Sequence, residues 1–127
     1  MLDTDTVSYA LRGMGRVAER VLEHRPSQLC ISSITLAELR FGANLRKSQR
    51  LQRLIGTFIS AIEVTPFDAQ AADRFGVLAA TLNRRGTPIG NMDTLIAAHA
   101  LALNVALVSN NTRHFGHIAG LRTENWL

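Results

Sequence analysis

A chain of 127 residues, 46% hydrophobic and 19% charged, has the length of one ordinary domain and a globular composition, which excludes a repeat array and a disordered polypeptide. Fourteen basic residues against ten acidic ones give a formal charge of +4, a modest excess carried almost wholly by arginine, with Lys47 the only lysine. The single cysteine, Cys30, excludes an intramolecular disulfide and a cysteine-based zinc site, and no apolar run reaches the roughly 18 residues of a membrane span.

In chain order, strands and helices alternate. Met1–Leu2 reads as a strand stub, in a segment whose acids stand where a secretory signal would carry bases, so a cytoplasmic protein is expected. Thr6–Leu11 and Arg16–His24 read as helices separated by the turn formers Arg12-Gly13-Met14-Gly15. Leu29–Ile31, with Cys30 as a small core residue, is a short buried strand; Ser32 or Ser33 then offers an N-cap to a helix Ile34–Leu45. Ser48–Ile62 is amphipathic, with Leu51, Leu54, Ile55, Phe58, Ile59 and Ile62 at three- and four-residue spacing, and should pair antiparallel with its predecessor. Glu63–Thr65 is strand-like and stopped by Pro66, and Asp68 caps a helix that runs to about Arg85 and ends at Gly86. A helix Met92–Leu103, started by Asn91 or a neighbour, is apolar on nearly every side and belongs between layers. Val105–Val108 is a last strand before the loop Ser109–Thr112. Short apolar strands separated by helices predict an α/β fold, a short parallel sheet flanked by helices, in one domain over residues 1–127.

Several acids stand where apolar residues would be expected. Glu38 shares a helical stripe with Ile34, Phe41 and Leu45, which reads as the inward face. A carboxylate there must be protonated, paired with a base such as Arg40, or bound to a cation, because stripping its water is costly. Asp3 ends the first strand, where open α/β sheets line their ligand crevice, and it could equally cap the helix that follows. Asp93 opens the buried helix, where the macrodipole alone is sufficient reason for an acid. Asn111 follows the last strand and could reach the same crevice. Three acids and an amide brought together would repel unless a cation neutralised them, and oxygen ligands without paired histidines suit Mg²⁺ or Mn²⁺. Such a cation acidifies a water and stabilises charge on a phosphoryl oxygen, which is the chemistry of phosphodiester hydrolysis. Of the histidines, His99 lies between Leu95 and Leu103 and reads as a core residue, while nothing places His114 or His117 near a reacting group. Neither a G-x-S-x-G nor a phosphate-binding loop pattern is present.

Four blocks, MLDTDT, ISSITLAELRFGA around Glu38, GTPIGNMDTLIAAHAL around Asp93 and LVSNNTRHF, occur in one order, and with the terminal LRTENW they cover nearly the whole chain. The ordered set resembles the PIN-domain ribonucleases, in particular the VapC toxins of bacterial toxin–antitoxin pairs. The resemblance implies a PIN-like fold with an acidic Mg²⁺ or Mn²⁺ site at Asp3, Glu38 and Asp93, Asn111 as a weaker fourth member, and Thr4 and Asn110 in support. It also implies a homodimer that cleaves structured RNA. The subgroup most similar to this chain cuts transfer RNA, often the initiator in its anticodon stem-loop, and is neutralised by a cognate VapB antitoxin whose C-terminal segment enters the toxin groove. Arg84 and Arg85, just before the GTPIG loop, are candidate contacts to the RNA backbone, though they could simply complement a helix end.

This sequence departs from the family pattern in two respects. Only Met1 and Leu2 precede Asp3, so a short first strand is expected unless the true start lies upstream, and LDTD replaces the commoner LDTN, which sets Asp5 beside the site. Asp3-Thr4-Asp5-Thr6-Val7 also fits the D-x-D-x-[TV] motif of haloacid dehalogenase-like phosphatases, in which Asp3 would be a covalent nucleophile and Asp5 a general acid–base. That reading lacks a well-placed lysine and a late acidic pair. A PIN-like module that binds RNA or a partner without turnover is the remaining alternative.

Overall fold

The computed structural model describes all of residues 1–127 and shows a sheet held together at one residue. Its strands are β1 (Cys30–Ser32), β2 (Glu63–Thr65), β3 (Leu107–Val108) and β4 (Thr123–Glu124). β1 pairs with β2 and β3 with β4, both in parallel, with Ile31 opposite Val64 and Leu107 opposite Thr123. Leu2 bridges to Ile31 on one side and to Val108 on the other, which joins the two pairs in the order β2–β1–Leu2–β3–β4. The short first strand is thus confirmed, reduced to a single bridging residue. Leu2 N donates to Cys30 O at 2.9 Å, Val108 N to Met1 O at 2.8 Å, and Asp3 N to Val108 O at 3.0 Å.

The helices are α1 (Thr4–Leu11), α2 (Val17–Leu22), α3 (Ser33–Leu45), α4 (Gln49–Ala61), α5 (Ala69–Arg84), α6 (Asn91–Leu103) and α7 (Thr112–Phe115). Side-chain oxygens of Asp3, Ser32, Ser48 and Asp68 cap α1, α3, α4 and α5 by accepting backbone N–H bonds. The Asp3 cap lets α1 begin two residues before the apolar pattern suggests, and α2 is shorter at both ends than its reading. α7 occupies the end of a segment read as loop, and β4 is an exposed pair of residues that no apolar alternation announces.

Successive strand residues point to opposite faces, and the core divides accordingly. Met1 and Leu107 join Leu78, Leu82, Ile96 and Phe115 on the face covered by α5, α6 and α7. Leu2, Ile31 and Val108 join Val7, Leu39, Ile55 and Trp126 on the face covered by α1, α3 and α4. Cys30 is only partly buried, at the edge of the first cluster. As its composition requires, α6 lies between layers: Ile96, Ala97, Ala98, His99 and Ala100 are all buried, and it packs against both α5 and α3. His99 is the core residue expected, with Nδ1 2.8 Å from Ser32 Oγ and its ring edge-on to Phe67. No helix is long and apolar enough to cross a membrane.

The inward face of α3 differs from its reading. Thr35, Leu39 and Ala43 are buried, whereas Phe41 and Leu45 are 69% and 70% exposed. The small side chains of Thr35 and Ala43 admit the neighbouring helices closely, and that packing outweighs the burial of two larger residues.

Because the Leu2 side chain is fully buried where the two strand pairs meet, Leu2→Ala should destabilise the protein by about 2–5 kcal/mol, the range for a buried leucine truncation. Urea unfolding measures this, and a loss below about 1 kcal/mol would mean that the Leu2 side chain adds little to the packing at the junction.

Candidate active site

The alternation that sorts the core also positions the polar strand ends. One residue beyond Leu2, Ile31 and Val108 stand Asp3, Ser32 and Ser109, all buried and on the α6 side at the C-terminal edge of the sheet. Asp3 performs the capping role as well as standing at the crevice: its Oδ1 accepts from Thr6 N at 2.8 Å. Burial raises its pKa above the usual carboxylate value, hydrogen bonds from Ser109 and Thr6 oppose that rise, and the charge of Asp5 adds to it.

Glu38 is half-buried on α3. Its stripe of Phe41 and Leu45 faces solvent rather than the core, so the burial argument from periodicity placed it on the wrong face; what partly buries it is the neighbouring start of α1. Thr4 Oγ1 donates to Glu38 Oε1 at 2.5 Å and lies 3.3 Å from Thr35 Oγ1. With a single hydroxyl proton, Thr4 gives it to the carboxylate, the stronger acceptor, and meets Thr35 through a lone pair. Burial is the main cause of a raised Glu38 pKa; the Thr4 bond opposes it, and the charges of Asp93, Asp5 and Asp3 raise it further. Arg40 does not neutralise it. Its guanidinium donates to Gln52 Oε1 at 2.6 Å and to Gln52 O at 3.3 Å, bracing α3 against α4. The only contacts between basic and acidic side chains are Arg16–Glu19, Arg20–Glu23 and His114–Asp93. Glu38 therefore faces three carboxylates and no base.

Asp93 lies in the first turn of α6, after Gly90, whose φ of +90° favours glycine. Its Oδ2 is 2.8 Å from His114 Nδ1, and Asn111 Nδ2 is 2.9 Å from the same ring nitrogen. A carboxylate only accepts, so the proton that serves this pair sits on Nδ1, and the Asn111 amide must turn its oxygen toward that N–H for both contacts to be favourable. His114 thus ties Asn111 to Asp93, a role that sequence reasoning missed. The signal was the i, i+3 spacing of Asn111 and His114, legible only once α7 is recognised as a helical turn. Asn110 makes no side-chain hydrogen bond. Asp5 lies exposed in the first turn of α1, not on a continued strand beside Asp3. Arg84 and Arg85 end α5, and Arg85 lines a groove with Arg74, Leu78, Leu82 and Ile118 that contains none of the acids.

As they stand, no three of the His, Cys, Asp and Glu side chains close around one point as the ligands of a metal ion would. Each acid is held by a different neighbour: Asp3 by the N-terminus of α1, Glu38 by Thr4, Asp93 by His114. The donor set nevertheless fits a hard divalent cation, being oxygen-only and without a lysine or arginine partner, and burial, with a smaller contribution from neighbouring carboxylates, raises the Asp3 and Glu38 pKa values.

The raised pKa has a defined sign. A carboxyl group that binds its proton more tightly folded than unfolded lowers stability as pH rises through that interval, so ionised Glu38 is a net penalty at neutral pH without metal. Glu38→Gln keeps an acceptor for Thr4 and removes the charge. In EDTA its thermal midpoint should match or exceed that of the unmodified protein at pH 7, and the difference should shrink as pH falls toward 4. A clearly lower midpoint at pH 7 would mean that the carboxylate is compensated.

The sequence matches the PIN domain family over residues 1–121. It is 40% identical to a tRNA(fMet)-specific endonuclease VapC of Shigella flexneri over 99% of this chain and 96% of the relative. It is 38% identical to ribonuclease VapC2 of Haemophilus influenzae over 100% of this chain and 97% of the relative. Among solved structures, VapBC2 from Rickettsia felis bound to a promoter DNA fragment superposes with a TM-score of 0.89 at 37% identity, covering 100% of this chain and 98% of the matched chain. DNA-bound VapBC from Salmonella typhimurium gives 0.88 at 41% identity, over 100% and 97%.

Proposed function

The chain belongs to the PIN-domain family, in its VapC branch, and we propose that it is a divalent-metal-dependent endoribonuclease toxin that cuts transfer RNA and is held by a VapB-type antitoxin. The observation that carries the reading is Glu38, half-buried, bonded only by Thr4 and surrounded by Asp3, Asp5 and Asp93 without a base. The names of the relatives support the substrate class, and their solved complexes support the partner. A homodimer is proposed on the family resemblance alone.

In this reading Asp3, Glu38 and Asp93 hold Mg²⁺ or Mn²⁺, with Asn111 supporting Asp93 through His114. When bound, the cation supplies a lowered pKa for a water and positive charge for a phosphoryl oxygen. The residues of this chain do the rest. Thr4 restrains Glu38 so that Oε1 is engaged and Oε2 is left without a hydrogen-bond partner. The α1 cap fixes Asp3 through Oδ1. The His114 N–H orients the Asp93 carboxylate, an arrangement known to set both geometry and affinity in cation sites. Each acid is restrained separately, and binding one cation would draw the three together.

Asp93→Asn should lower RNA cleavage by about a hundredfold or more while leaving the circular dichroism spectrum unchanged, since one charge leaves the cation site and the shape stays. EDTA should abolish wild-type cleavage and Mn²⁺ restore it; undiminished cleavage by the variant would overturn the site.

Asp5 separates this reading from the phosphatase one. On the exposed first turn of α1 it is a rim charge, so Asp5→Asn should leave RNA cleavage within about tenfold. An acyl-phosphate trapped on Asp3 during phosphomonoester hydrolysis would favour the phosphatase instead.

A further inference from the structure

A groove of about 430 Å³ runs between α1 and the turn that joins α3 to α4, lined by Asp5, Ser8, Arg12, Arg46, Ser48 and Arg50 among others. We propose that Arg12, Arg46 and Arg50 in this groove bind the phosphodiester backbone of the RNA on one side of the scissile bond; this rests on the ribonuclease reading.

The placement follows from the helices. α1 starts at Asp3 and Asp5 and ends at Arg12; α3 carries Glu38 and ends at Arg46. The two helices touch, and the Thr4–Glu38 bond joins their acidic ends. At about 1.5 Å per residue, both the Asp3–Arg12 and the Glu38–Arg46 separations come to roughly 12–13 Å. An interval of that length is covered by a few consecutive phosphates of a strand whose scissile bond lies over the acids. Asp5, two residues beyond Asp3 in the first turn of α1, lines the groove, so the groove wall begins beside the acids. The groove of Arg74 and Arg85 shares no residue with the acids.

The three guanidinium groups are exposed and have no carboxylate partner. Arg12 stacks 5.5 Å from the Tyr9 ring, which restrains it, and donates from Nε to Ser8 O at 3.3 Å. Arg12 and Arg46 could be explained as complements to the C-terminal ends of their helices. Arg50 cannot: it stands in the first turn of α4, where the macrodipole disfavours a cation and no acid is present. A phosphate between Arg46 and Arg50 would face the positive N-terminal end of α4 and engage both arginine forks.

The test is fluorescence anisotropy with a labelled RNA stem-loop across a salt series, in an Asp93→Asn background so that the probe survives. Arg12→Ala/Arg46→Ala/Arg50→Ala should weaken binding at least tenfold at low salt and reduce the log–log salt slope by about 2, each phosphate left without its arginine accounting for about 0.7. Arg50→Gln alone should reduce it by about 0.7, and unchanged thermal midpoints show that these exposed sites do not affect folding. The matched variant Arg74→Ala/Arg84→Ala/Arg85→Ala removes the same charge elsewhere and should change the slope by less. The proposal is overturned if the groove variants keep the slope, or if the matched variant reduces it as much. Failure of the unsubstituted protein to cleave any RNA would instead overturn the ribonuclease reading, whatever the arginine variants do.

Discussion

The arrangement of this molecule depends on carboxylates gathered at one edge of a very short sheet without a lysine or arginine among them. Repulsion between them opposes folding, so the scaffold must supply the force that brings them together. It does so with Leu2, whose fully buried side chain and paired backbone fix where Asp3 emerges between β1 and β3. Once that bridge is set, the strand alternation assigns Ser32 and Ser109 to the same side, and α6, buried along its length, brings Asp93 up to them. The apolar packing is thus what pins the acids, and the acids in turn explain why the central strand gives way at once to a helix. After the Asp3 N–H bond to Val108 O the ladder ends, because the chain turns into α1, whose N-terminus the Asp3 side chain caps.

Each acid is restrained by a neutral or polar neighbour rather than by a salt bridge. Thr4 donates to Glu38, Ser109 and Thr6 to Asp3, and His114 to Asp93. A lysine or arginine in any of those places would have stabilised the empty protein and occupied the charge that a cation needs. Hydrogen bonds from hydroxyl, amide and imidazole groups hold the carboxylates in position without a lysine or arginine to neutralise them. This is the usual pattern in which a functional site violates the rule that buried charges are paired and the rest of the fold supplies the stability.

Much of this was legible in the sequence because it rests on local rules. The order of strands and helices, the serine and aspartate caps and the layered α6 all follow from periodicity and capping chemistry. Asp3 and Asp93 were readable as strand-end and helix-start acids. Glu38 was singled out by an argument whose premise fails, since Phe41 and Leu45 lie outward and the true inward stripe is built on Thr35 and Ala43. Volume-weighted periodicity favours large side chains, whereas close helix packing favours small ones, and no property of the isolated helix decides between them. His114 was missed for a related reason. Its meaning depends on a four-residue helix too short to carry a periodic signal and on a contact 21 residues away in the chain. β4, two exposed residues, has no pattern to read.

The charge separation along α1 shows how stability and function can draw on the same field. The helix begins with Asp3 and Asp5 and ends with Arg12, so acids meet its positive end and a base its negative end. That distribution stabilises an eight-residue helix too short to persist alone, and it also sets an acidic edge beside a basic groove wall. α4 breaks the pattern. It has no acid in its first turn and carries Arg50 there, against its own dipole, at the place where its N-terminus meets the ends of α1 and α3. A residue set against the electrostatics of its own helix is explained by something outside the helix, and a negatively charged strand passing through that groove supplies the missing counter-charge.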